Sequence, residues 1–104
     1  METLLSPEFW PEVLQVIPAD DFRFYAYFND GSVRMFDVKP LIRPGTVFAP
    51  LADPDYFRSR LTVINHTAAW DVSGDRDPRR CIDLDPFVLF EQPAVPDPLA
   101  EPVA

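Results

Sequence analysis

Residues 22–38, Phe-Arg-Phe-Tyr-Ala-Tyr-Phe-Asn-Asp-Gly-Ser-Val-Arg-Met-Phe-Asp-Val, decide the fold. Two aromatic-rich runs meet at Asn29-Asp30-Gly31, where Asn29 and Asp30 suit right-handed turn positions and Gly31 supplies the positive φ of a following bulge. A three-residue loop places Phe28 near Ser32, Phe24 opposite Phe36 and Phe22 opposite Val38, so aromatic pairs reinforce the ladder. The competing two-residue loop at Asp30-Gly31 slips the register by one and sets Phe24 against Asp37, an acid beside an apolar face. The other face carries Arg23, Tyr25 and Tyr27, and its semi-polar character predicts a half-exposed surface.

Working outward, Val13 to Ile17 reads as a strand closed by Pro18, and Ala19-Asp20-Asp21 is the polar turn into the aromatic strand. Three consecutive strands then form an antiparallel meander. Lys39-Pro40-Leu41 reads as one helical turn stopped at Pro44-Gly45, with Phe48 and Leu51 following as core contacts. Asp53-Pro54 is an N-cap followed by proline at the first helical position, which predicts a helix over 55–60 anchored by Tyr56 and Phe57. Leu61 to Ile64 and Thr67 to Asp71 flank Asn65-His66 as a second hairpin, with Trp70 as its core anchor. The loop after Gly74 is charged, and Asp85-Pro86 repeats the cap-plus-proline device ahead of Phe87-Val88-Leu89-Phe90, read as one buried helical turn. The expected class is α+β, a mainly antiparallel sheet (meander plus second hairpin) with two or three short helices.

Composition divides the chain into a lead segment over 1–12, one domain over 13–92 and a proline-rich tail over 93–104. The lead carries Phe9 and Trp10, large enough to dock on this chain or on a copy of it. The tail has four prolines and almost no large apolar side chain, which predicts disorder. Across 104 residues, 13 prolines against 3 glycines argue for short, punctuated elements.

Charge narrows the partners. The 17 acids against 9 bases give a formal charge of −8, which disfavours a phosphate backbone, because nucleic-acid affinity rests on Lys and Arg displacing counterions. Arg58 with Arg60, and Arg76 with Arg79 and Arg80, are each flanked by aspartates and read as solvated surface. Cys81 is the single cysteine, so no intramolecular disulfide forms and a reducing cytoplasm is the expected compartment. No basic residue precedes an apolar run at the N-terminus, and no stretch approaches the roughly twenty apolar residues of a membrane span.

Chemistry-bearing residues are few. His66 is the lone histidine, and no metal-ligand or nucleophile–base spacing surrounds it. Asp71, Asp75, Asp77, Asp83 and Asp85 are oxygen donors that a hard cation would take, yet Gly74 precedes the acidic pair instead of following it as a calcium loop requires. Capping and solvation account for these acids better. Arg80 beside Cys81 is a neighbour that lowers a thiol pKa, set against the commoner fate of a lone cysteine, burial. No cofactor signature is present. Arg23, Tyr25 and Tyr27 form the candidate interaction surface, since Tyr and Arg bury large areas while keeping polar handles.

The order of motifs resembles the bacterial domain-of-unknown-function 2442 family over about Val13 to Glu91. The resemblance rests on Phe28-Asn29-Asp30-Gly31, Phe36-Asp37-Val38 with Pro40-Leu41, Leu51-Ala52-Asp53 with Phe57, and above all the closing segment. There, Ala69-Trp70-Asp71, Gly74, Asp77, Cys81-Ile82-Asp83-Leu84-Asp85-Pro86 and Leu89-Phe90-Glu91 resemble a longer-loop variant of the family's ending. What the resemblance implies is a compact sheet with short helices and no established biochemical activity. Some members are fused to a helix-turn-helix domain, and some are encoded beside other small proteins in an arrangement similar to toxin and antitoxin pairs. The sequence therefore predicts a non-catalytic protein-interaction module whose partner is a second copy or a neighbouring-gene product. The alternatives are an antitoxin-like regulatory partner, and a small metal protein or enzyme using the acidic loop.

Overall fold

The computed structural model describes residues 9–100. Six strands form two antiparallel sheets of three, in the orders β1-β2-β3 and β4-β5-β6. The first comprises β1 (Val13–Pro18), β2 (Arg23–Phe28) and β3 (Val33–Asp37). Its central hairpin takes the three-residue loop: Phe24 faces Phe36, Tyr25 faces Met35 and Tyr27 faces Val33. The Phe28 amide donates to the Ser32 carbonyl at 2.9 Å, and the Val38 amide donates to the Phe22 carbonyl at 2.9 Å. Gly31 sits at φ 88°, the left-handed region that Asn29 and Asp30 avoid. The Asp30 carboxylate fastens the turn by accepting from the Ser32 amide at 2.9 Å and hydroxyl at 2.6 Å.

Asn29 does more than turn the chain. Its amide group donates to the Trp10 carbonyl at 3.0 Å and accepts from the Glu12 amide at 3.0 Å, so the hairpin tip holds the entry into β1. The lead-segment aromatics dock on this chain: the Phe9 ring lies 5.5 Å from Phe90, and Trp10 meets Phe87 edge-on at 5.5 Å. Residues 1–8 lie outside the described residues.

Single 3-10 turns at Lys39–Leu41 and Ala49–Ala52 lead to helix α1 (Pro54–Arg60). Asp53 caps α1 by accepting from the Asp55 amide at 3.0 Å. The second sheet pairs β4 (Leu61–Ile64) with β5 (Thr67–Asp71) across Asn65 at φ 55° and His66 at φ 67°, both left-handed as a two-residue hairpin turn requires. A third strand, β6 (Cys81–Asp83), pairs with β5. It follows the charged loop and was not expected as a strand, because three residues are too few to display alternation. Asp85 then caps helix α2 (Pro86–Phe90) through the Phe87 amide at 2.9 Å. The expectation of one buried turn is corrected here: Leu89 is buried, but Phe87 and Val88 are 40% and 42% exposed, because a single turn can turn only one side inward.

Both sheets share one core, centred on Trp70, Phe24, Phe28 and Phe57. Trp70 packs edge-on against Phe24 at 5.8 Å and tilted on Phe57 at 5.4 Å, and its indole N–H donates to the Phe57 carbonyl at 3.1 Å. Thr67, a buried polar side chain, is satisfied by donating to the Leu84 carbonyl at 2.5 Å.

Candidate functional site

Period-2 alternation along β2 sends Phe24, Ala26 and Phe28 into the core and leaves Arg23, Tyr25 and Tyr27 on the outer face. The register adds neighbours that sequence reasoning did not name. Tyr25 lies between Ile17 of β1 and Met35 of β3, and Tyr27 lies between Gln15 and Val33. The Ile17, Tyr25 and Met35 side chains form one row across all three strands, and none is fully buried. This row was legible only once the pairing of β1 was known, since its strand irregularity between Val13 and Gln15 displaces Leu14 and resets the alternation.

The expectation of a wholly disordered tail is also corrected, for residues 93–100. Ala94 bridges antiparallel to Arg34, and the Val95 amide donates to the Val33 carbonyl at 2.8 Å, extending the ladder beyond the edge of β3. The Arg34 guanidinium anchors the start of this segment by donating to the Gln92 carbonyl at 2.5 Å while stacking 4.0 Å over the Phe90 ring. Further along, the Tyr27 hydroxyl donates to the Asp97 carboxylate at 2.5 Å. Burial, reinforced by that carboxylate acceptor and its charge, pushes the Tyr27 phenol up to about 12. Val33 is only 5% exposed although it shares Tyr27's outward face and stands outside the central core, which matches the passage of residues 94–97 beside it. Residues 101–104 lie outside the described residues.

The acidic loop is arranged for backbone satisfaction. Asp71 accepts from the Gly74 amide at 2.9 Å and the Arg76 amide at 3.1 Å, and Asp77 accepts from the Arg79 amide at 2.9 Å. Asp75 is held by the Ser73 hydroxyl, Asp85 caps α2, and Asp83 is exposed at the end of β6. Among the described residues, no three His, Cys, Asp or Glu side chains converge in a way that would hold a metal. His66 is 3.8 Å from Glu12 at the exposed β4–β5 turn. Cys81 does not have the lowered thiol pKa that Arg80 suggested: burial raises it, and the charges of Asp83, Asp71 and Asp77 raise it further. A surface cleft beside Arg60 and Arg76 is lined by guanidiniums already committed to carbonyls, Arg60 to Asp71 at 3.0 Å and Arg76 to Val63.

The chain has no significant match to a family model, a curated protein or a solved structure. Among the described residues, no helix is long and apolar enough to cross a membrane.

Proposed function

We propose that this chain is a non-catalytic protein-interaction module that engages its partner through the outer face of the first sheet. The observation that carries this reading is the Ile17, Tyr25 and Met35 row, flanked by Arg23 and Tyr27. Two large apolar side chains flank a tyrosine there on a three-stranded platform, while the alternate residues Phe24, Ala26 and Phe28 of the central strand are buried in the core. Tyrosine and arginine at the centre of such a patch bring contact area at low conformational cost, and methionine adapts to an uneven partner surface. Asp71, Asp77 and Asp85 of the loop already accept backbone amides, which favours this face over the loop as the contact site.

The resemblance to the domain-of-unknown-function 2442 family supports the same reading, with a co-encoded small protein or a second copy as the partner and the cytoplasm as the compartment. Tyr25→Ala tests it most cleanly, because Tyr27 is already bonded to Asp97. Affinity-tagged wild-type chain should retain a co-purifying partner or self-associate, and the variant should lose that association while its circular dichroism spectrum is unchanged. Equal association by both chains would remove the face from consideration.

A further inference from the structure

We propose that the outer edge of β3 is a docking site for an extended, proline-flanked acidic peptide, and that Gln92 to Asp97 occupy it as a ligand in cis. The inference rests on the reading of the first sheet as a contact platform and specifies its partner chemistry.

Three protein groups read three successive features of the segment. Arg34 takes the Gln92 carbonyl at 2.5 Å, the Val33 carbonyl takes the Val95 amide at 2.8 Å, and the Tyr27 hydroxyl takes the Asp97 carboxylate at 2.5 Å. Main-chain bonding to a sheet edge, with a side-chain contact for position, is how an added strand is recognised. Pro93, Pro96 and Pro98 hold the segment extended before it binds, which lowers the entropy lost on docking. They also leave Val95 as a donor where the ladder needs one. Yet Ala94, Pro96, Asp97 and Leu99 are all exposed, so the segment is fastened by a few polar bonds over little buried area. Such a strap is exchangeable. A partner peptide with a small or apolar residue, proline and an acid in the order Val-Pro-Asp would make the same bonds from outside, in competition with the tethered copy.

The test uses the full chain and a labelled peptide, Gln-Pro-Ala-Val-Pro-Asp-Pro-Leu-Ala, the sequence of residues 92–100. Val95→Pro removes the amide that bonds Val33, and Asp97→Ala removes the acceptor for Tyr27; together they remove two of the three tethers in cis and leave the residues of the sheet unchanged. The peptide should bind this double variant at least about tenfold more tightly than wild type, because the tethered segment, held only at Gln92, competes far less. Adding Tyr27→Phe to the double variant should weaken peptide binding several-fold. A double variant with a native dichroism spectrum that binds the peptide no better than wild type overturns the proposal. If the double variant does not fold, Asp97→Ala alone decides in the same way. Failure here, with partner association still lost in Tyr25→Ala, would leave the contact face standing and remove only its peptide specificity.

Discussion

Replacing Trp70 separates two contributions to the core. Trp70→Phe keeps an aromatic ring against Phe24 and Phe57 but leaves the Phe57 carbonyl without its indole donor, and should cost about 1–3 kcal/mol in denaturant unfolding. Trp70→Ala adds a cavity and should cost about 3–5 kcal/mol. Tyr27 offers a spectroscopic check. Its phenol, ordinarily near 10, is raised to about 12 in the folded chain, so its proton contributes stability that is complete below pH 10 and is lost as the pH rises through about 12. Ultraviolet titration should show Tyr27 ionising late, and Asp97→Ala should bring it back toward the ordinary value. His66 stands at φ 67°, a conformation that disfavours a side chain. His66→Gly should therefore stabilise the β4–β5 hairpin by about 0.5–1 kcal/mol, allowing for glycine's entropy.

At the scale of elements, local chemistry was legible and tertiary completion was not. Asn29-Asp30-Gly31, Asp53-Pro54 and Asp85-Pro86 each declare a turn or a cap through bonds made within a few residues, and each is realised. Strand β6 was hidden because Cys81, Ile82 and Asp83 are only three residues directly after Arg79-Arg80, and they pair along the edge that β5 presents. The tail's pairing was hidden by its prolines, whose composition argues for disorder although Val95 between them is a competent donor. The central hairpin itself is open to test. A Cβ at Gly31 would meet nothing within 4 Å, so Gly31→Ala isolates the backbone term and should cost about 1–2 kcal/mol in thermal unfolding. Asp30 adds an acid limit: burial pulls its pKa up, but the Ser32 hydroxyl and amide outweigh it and hold the carboxyl below its usual range. The hairpin's share of stability is therefore present above the ordinary aspartate pKa and lost as the pH falls below it.

For the whole molecule, the two sheets place one core between them and turn opposite surfaces outward. Arg23, Tyr25 and Tyr27 were legible as a face from alternation alone, whereas Ile17 and Met35 needed the three-stranded register and Asp97 needed the returning tail. A second exposed apolar cluster exists at Trp10, Phe87 and Val88, where Trp10 is 64% exposed. It is a rival contact surface on the same molecule. Hydroxyl-radical footprinting of the chain alone and with its co-purified partner compares the two directly, since Tyr25, Met35 and Trp10 are all oxidisable side chains. If the outer face of the first sheet is the contact, the partner protects Tyr25 and Met35 while Trp10 and Phe87 are labelled as before; protection of Trp10 and Phe87 with Tyr25 and Met35 unchanged would place the contact elsewhere.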